Sequence, residues 1–491
     1  MLDKLRNRLL TFIESDKDVP LFAGFIFGLY PFLFFYSNNY TSASSWKHAG
    51  FFFLLYVGPS VVITFLTYKL FGLHQKLRPY RKHLLFVLPV IIMCSLLSYG
   101  MFFTFKKKIL LGILLVLLLL SLKLSQHYKR LLVLIIVMSL MPLFRVTVHL
   151  YEDIRPMHWT KQPDDIVNVK LRHRPDIYII QPDGYAGKET MAEPPYSYKN
   201  EFFGWLEDNG FEVYDGFRSN YPASLASNAS MFAMKHHYFD AVLFPSEEVP
   251  NAREVILNND VLRILKSNGY ETFLLAQDEY FQQNKRKGIY DHYNIKREDV
   301  PFIVPHPQLT RDVSADLEKV PGTDKEKPKF VFIERVLPHH VPLYGDEGKI
   351  AKRDVYIEKV QLANTWLKET IDKIEAKSKD AVIIILADHG GWVGIDSYNE
   401  MYSTKDESLI YSTFGNLAAI RWNGLDHKRY DENLKSNVNL FRVLFSCLAE
   451  NTSYLNHLEK NESYNIRLGN IFDDVCKLID ENGKIVREKH N

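Results

Sequence analysis

Ala381-Val-Ile-Ile-Ile-Leu-Ala-Asp388-His389-Gly390-Gly391 is the stretch on which the reading of this chain turns. An unbroken apolar run, rich in β-branched residues, is followed at once by a carboxylate, an imidazole and two glycines. A run this short and this uniformly apolar fits a strand covered on both faces, as inside a parallel sheet. Two other runs share the form. Asp176-Ile-Tyr-Ile-Ile-Gln181 leads into Pro182-Asp183-Gly184, and Phe330-Val-Phe-Ile-Glu334 leads towards Leu337-Pro338-His339-His340-Val341-Pro342. Helical patterns lie between them. One covers Glu201 to Asn209 and stops at Gly210. Another runs from Asp354 to Ala376, with Val360, Leu362, Trp366, Leu367, Ile371 and Ile374 on its apolar positions. Strands alternating with helices predict a doubly wound α/β sheet.

In open α/β sheets, ligands bind beyond the carboxyl ends of the strands. Asp183, Asp388 and His389 are therefore expected to converge on one sheet edge. Two carboxylates and an imidazole suit a divalent cation such as zinc or manganese. The glycines after Asp183 and His389 permit sharp turns there. Each element alone has a plainer reading, as a turn or a helix cap; their recurrence at successive strand ends points to a site. A hydroxyl nucleophile is offered by Ser219-Asn-Tyr-Pro-Ala-Ser224-Leu-Ala-Ser227-Asn-Ala-Ser230, which continues as a helical pattern through Met231, Phe232 and Met234. A serine at a helix start lies near the positive end of the helix, which favours an alkoxide and a bound phosphate. The plain alternative is an N-cap serine.

The chain has 491 residues and a net charge of +2, which gives no reason to propose a nucleic-acid partner. Its three cysteines, Cys94, Cys447 and Cys476, form no disulfide framework and no CxxC pair. Apolar residues crowd one end. Membrane helices are predicted at about 20–36, 49–71, 84–104, 109–123 and 130–148, the fourth being short for the ~30 Å of hydrocarbon to be crossed. Lys4, Arg6, Arg8, Lys17, Lys76, Arg78, Arg81, Lys82, Lys123, Lys129 and Arg130 fall on one side. Lys47 and the run Lys106 to Lys108 fall on the other. The excess places the N-terminus inside, and five spans then place the rest of the chain outside. The domains expected are a transmembrane unit over 1–150, a juxtamembrane linker over 151–174, a catalytic domain over 175–450 and a C-terminal extension over 451–491. The last is charged, with one amphipathic stretch from Ile471 to Ile479.

Over roughly residues 175 to 450 the chain resembles the alkaline phosphatase superfamily, in its sulfatase-like membrane branch. That branch includes lipoteichoic acid synthases and phosphoethanolamine transferases. The resemblance rests on Asp183 after the opening strand, on Asn220-Tyr221 with Ser224, Ser227 and Ala229-Ser230, on Asp388-His389-Gly390, and on the Pro-His region around His339 and His340. Ser436-Asn-Val-Asn-Leu-Phe-Arg442 resembles a late structural segment of the family. The resemblance implies Ser224 as the nucleophile and a zinc or manganese ion held by Asp183, Ser224, Asp388 and His389. It also implies that His339 or His340 contacts the transferred group. Two departures stand out. Transferases of the branch more often carry threonine at the nucleophile. Sulfatases need an arginine four residues after it, where this chain has Asn228, which counts against sulfate-ester hydrolysis.

The function this implies is transfer of a phospho-head group from a membrane lipid donor to a surface glycan or lipid, with the catalytic domain outside a cell membrane. Two alternatives stand beside it. One is a phosphodiesterase or phosphatase of the same fold; the other is a non-catalytic envelope assembly protein.

Overall fold

The computed structural model describes residues 2–40, 43–154, 157–237, 251–285, 287–303, 307–322, 327–343, 347–467 and 474–489. The chain divides into two compact units, Met1–Arg155 and Pro156–Asn491.

The first unit is helical. It comprises α1 (Leu2–Glu14), α2 (Pro20–Asn38), α3 (Trp46–Leu73), α4 (Arg81–Phe102), α5 (Lys107–Leu124) and α6 (Tyr128–Ile154). By length and composition, four stretches can cross a membrane: Pro20–Asn38, Trp46–Leu73, Arg78–Phe102 and Lys107–Thr160. The last stretch holds both α5 and α6, parted by the 3-10 turn Ser125–His127. The short fourth segment is thus a helix of its own, with 18 residues. It is about 27 Å long at 1.5 Å per residue, because Lys107 and Lys108 join its first turn. Leu54, Leu66, Leu119, Leu134 and Leu140 are all more than half exposed, an outward apolar surface suited to lipid rather than water. Inside, α2 and α3 approach closely. A Cβ on Gly24 would lie 2.7 Å from the Val61 backbone, and Ser60 Oγ donates to Gly24 O at 2.7 Å. Small residues permit this contact, and without a hydrophobic force between helices such close packing is what holds them.

The second unit is built on β1 (Ile177–Pro182), β2 (Glu212–Val213), β3 (Glu271–Ala276), β4 (His292–Tyr293), β5 (Lys329–Arg335), β6 (Val382–Leu386) and β7 (Ala418–Arg421). The sheet order is β2-β7-β6-β1-β5-β3-β4. β1 lies parallel to β5 and β6 on its two sides, while β7 runs antiparallel to β6. The sheet is therefore mixed at one edge. Side chains alternate between two cores: Ile177 and Ile179 pack on one face, Tyr178 and Ile180 on the other. Burial on both faces is why β1, β5 and β6 read as continuous apolar runs. β3 escapes the sequence reading, since Glu271 and Thr272 dilute its apolar run.

The polar stretch expected as a linker carries Ile166, Val169 and Leu171 into the core of this unit. Its polar residues have a buried partner. Arg442, 1 % exposed, donates to Asp164 and to Gln162, each at 2.7 Å. Pro156 lies outside the described residues. Beyond residue 450, β8 (Ser463–Arg467), β9 (Asp474–Ile479) and β10 (Ile485–Lys489) form a separate antiparallel sheet in the order β10-β9-β8. Most of the amphipathic stretch is thus a strand; its residues 471–473 lie outside the described residues.

Replacing Arg442 by leucine strands the Asp164 carboxylate, and loss of one partner from a buried pair costs about 3–5 kcal/mol. Arg442→Leu is expected to lower the thermal unfolding midpoint of the α/β unit well beyond a surface Arg→Leu control.

Candidate metal centre

β1 and β6 are neighbours, so the residues that follow them meet at one sheet edge. Asp183, Asp388 and His389 are all buried. One potential ligand atom from each lies within 4.8 Å of the others, a group able to hold a metal ion. His389 Nε2 is 3.5 Å from Asp183 Oδ1 and 3.5 Å from Asp388 Oδ2. Its Nδ1 donates to the carbonyl of Gly390 at 2.8 Å. In the neutral imidazole that bond leaves Nε2 as a bare lone pair aimed at two carboxylates. Asp183 Oδ1 is buried with no hydrogen-bond partner. Three electron-rich atoms facing one another in this way fit a cation between them. Asp388 keeps its other oxygen occupied: Oδ1 accepts from Gly184 N and His389 N, each at 3.0 Å.

The two glycine turns are sterically required. Gly184 has φ of +65°, and a Cβ there would lie 2.8 Å from His340 N. A Cβ on Gly391 would lie 2.4 Å from the Tyr356 ring, which in turn hydrogen-bonds Ala186 N and Gly184 O.

Ser224 opens the helix Ser224–Ala233. Its Oγ is 3.4 Å from His389 Nε2. Side chains to which the sequence reading gave no positioning role hold the start of this helix in place. Gln181, on β1, and Asn228 exchange reciprocal amide bonds of 2.8 and 3.0 Å, and Asn228 also donates to Ser224 O at 3.0 Å. The position where sulfatases need arginine is thus a buried tether between helix and sheet. Ser227 Oγ donates to Asp388 O at 2.6 Å, and Asn437 Nδ2 to Ala387 O at 3.0 Å. Asn437 belongs to the late segment expected to be structural.

The loop before Ser224 is fastened from the far end of the chain. Arg218, buried, donates to the carbonyls of Asp480 at 2.8 Å and Glu481 at 3.2 Å, and also to that of Asn461. Ser463 Oγ donates to Ser219 O at 2.7 Å, and Asn220 Nδ2 to Glu462 O at 2.9 Å.

The two histidines of the Pro-His region separate clearly. His339 has φ of +64°, and its Nδ1 donates to Asp183 Oδ2, while 42 % of its side chain remains exposed. Burial pulls its pKa down, but the Asp183 charge and hydrogen bond outweigh this and leave it raised. His340 stacks on Trp392 at 3.7 Å and donates from Nδ1 to Val341 O at 2.8 Å. Burial first, then the charge of His339, pushes it down to about 3, so it stays neutral. His339 is the histidine in contact with the acidic group.

No family model matches the chain, and no curated protein matches it. Solved structures do. The C-terminal periplasmic domain of EcEptC from Escherichia coli, in complex with Zn, is 13 % identical, covers 64 % of this chain and 95 % of its own, and has a TM-score of 0.43. The integral membrane protein lipooligosaccharide phosphoethanolamine transferase A (EptA) from Neisseria meningitidis is 14 % identical over 76 % of this chain and 75 % of its own, with a TM-score of 0.42. A Bacteroides thetaiotaomicron protein solved in work on glycosaminoglycan metabolism, labelled a 4S-sulf protein, is 13 % identical over 65 % and 88 %, with a TM-score of 0.41. The chemistry of the site is read from its own residues.

Two more acids stand at this edge, Glu334 at the end of β5 and Asp278 beyond β3. Burial, then the charges of Glu279 and Asp183, push Asp278 up to about 6. A raised carboxyl favours the folded state while protonated. The contribution is complete below the unfolded pKa of about 3.9 and is lost as pH rises through about 6. In metal-stripped protein, the difference in unfolding midpoint between wild type and Asp278→Asn is expected to widen from pH 4 to pH 7, with the variant the more stable at pH 7.

Proposed function

We propose that the protein is a membrane-anchored, metal-dependent transferase that moves a phospho-head group from a lipid donor to a hydroxyl acceptor on a surface glycan or lipid. The observation that carries this is the Ser224 hydroxyl, 3.4 Å from a histidine nitrogen that itself faces two buried carboxylates. Asp183, Asp388 and His389, with Ser224, would hold zinc or manganese; such an ion, when bound, lowers the pKa of a nearby hydroxyl and neutralises charge on phosphoryl oxygens.

The protein's own groups account for the rest. The amide pair Gln181–Asn228 fixes the first turn of the Ser224 helix over the sheet, so the nucleophile is positioned before substrate arrives. Ser224 gives its proton to solvent, and its Oγ forms a bond to phosphorus as the bond from phosphorus to the lipid alcohol oxygen breaks. His339, held by Asp183, protonates that departing oxygen. The acceptor hydroxyl oxygen then bonds to phosphorus, Ser224 Oγ leaves and regains a proton, and the acceptor's proton passes to His339. With the N-terminus inside and the five crossings read from the sequence, the α/β unit would lie on the outer face, on the side of the donor's head groups. Anchoring raises the effective concentration of a lipid donor.

Ser224→Ala is expected to abolish transfer from a head-group-labelled lipid, by about 10³-fold or more. Full activity in that variant excludes the assignment. Asp388→Asn should lose the metal, measured by elemental analysis of the purified full chain. His339→Ala is expected to slow transfer by about 10²–10⁴-fold, whereas His340→Phe, which keeps an aromatic ring on Trp392, should retain most activity. Label recovered on water rather than on an acceptor would show a hydrolase instead.

A further inference from the structure

Trp392 has φ of +60°, a left-handed conformation that a bulky side chain rarely adopts. Two backbone bonds to one helix hold the segment in this form. Gly390 N donates to Thr413 O at 2.9 Å, and Trp392 N donates to Ser412 O at 3.1 Å. Both acceptors belong to the helix Glu407–Phe414. Gly390 makes the approach possible, since a Cβ there would collide with Ser412 O. Strain of this kind persists only where the surroundings enforce it, and it gathers at working sites. The indole it places is 3 % exposed and lies against the candidate metal centre.

Two histidines stack on that indole. Its centroid is 3.7 Å from the ring of His340, with 21° between the planes, and 5.2 Å from the ring of His389, with 25° between the planes. His340 in turn lies 4.1 Å from His339. The rings thus run in series from the proposed general acid to the proposed metal ligand. His389 needs such a support. Its Nδ1 bond to Gly390 O selects the tautomer, but one contact does not set the plane of a ring. The Nε2 lone pair lies in that plane, so the plane decides where an ion can be held. Asp183 and Asp388, each with an oxygen 3.5 Å from Nε2, repel the lone pair and favour turning it away.

We propose that Trp392 is a positioning residue for the metal centre: its flat face sets the plane of the His389 ring and keeps Nε2 aimed between Asp183 and Asp388 before an ion arrives. The inference rests on the functional reading above and extends it to a residue outside the ligand set. A flat ring is what this role requires. Phenylalanine keeps much of that face, whereas leucine fills space without one. A tryptophan that served only to fill the core would not separate the two in metal binding, because either replacement leaves every ligand in place.

The test uses the full-length chain in detergent, stripped of metal. Zinc is titrated against a chelating competitor, and cobalt is followed by its visible absorption. Trp392→Leu is expected to weaken zinc binding by about 10–100-fold, the usual effect of losing a group that orients a ligand. Trp392→Phe should stay within about threefold of wild type and keep the wild-type cobalt bands, which Trp392→Leu should shift. Zinc binding by Trp392→Leu as tight as by wild type, or equal losses in the two variants, overturns the positioning role alone. A second measurement needs no leucine variant. The emission of Trp392, taken as the difference between wild type and Trp392→Phe, should be lost when paramagnetic cobalt binds and kept when zinc binds. Emission that survives cobalt overturns the contact with His389, and the role with it. A wild-type chain that takes up none of zinc, manganese or cobalt overturns the functional reading itself.

Discussion

Two carboxylates and the lone pair of an imidazole nitrogen, pressed together in a buried site, repel one another. Around Asp183, Asp388 and His389 the protein enforces that arrangement with groups that cannot relax. The bond from His389 Nδ1 to the Gly390 carbonyl fixes the tautomer. The backbone amides of Gly184 and His389 pin one oxygen of Asp388. Gly184 and Gly391 allow the turns to pass within touching distance of His340 and Tyr356. Much of the edge around the centre is a scaffold for an electrostatically unfavourable cluster, which a bound divalent cation would convert into a favourable one.

The same logic sets where Ser224, the proposed nucleophile, stands. Ser224 is the first residue of its helix, and the helix is located by side chains one turn further in. Asn228 holds to β1, and Ser227 to the backbone of Asp388. The serine is therefore referenced to both strands that deliver the acidic ligands. A shift of either strand would move nucleophile and ligands together, which preserves their mutual geometry.

The parts of this arrangement that were legible in the sequence are those with steep local signals. The apolar runs ending at Gln181, Glu334 and Ala387 stand out because burial on both faces leaves no polar alternation. Asp388-His389-Gly390-Gly391 stands out because that chemistry is unusual after such a run. What was not legible depends on pairing across the sheet. β3 begins Glu271-Thr272 and does not look like an interior strand, so nothing in the sequence brought Asp278 to this edge. Glu334 was visible as the end of a strand, but the acids that flank it follow from the sheet register. The stretch 151–174 looked like a linker because polar residues within it, Gln162 and Asp164, serve a buried arginine hundreds of positions away. The choice between His339 and His340 likewise waited for the rings to be placed.

The fastening of Arg218, Ser219 and Asn220 to the backbone of residues 461–463 and 480–481 has a consequence for biosynthesis. A ribosome delivers the Ser224 segment more than two hundred residues before the residues that brace it. Until those residues emerge, Arg218 has no carbonyls to hold and the approach to Ser224 is unsupported. A chain whose translation stops early would thus carry Asp183, Ser224, Asp388 and His389 and still lack the residues that brace the Ser224 loop.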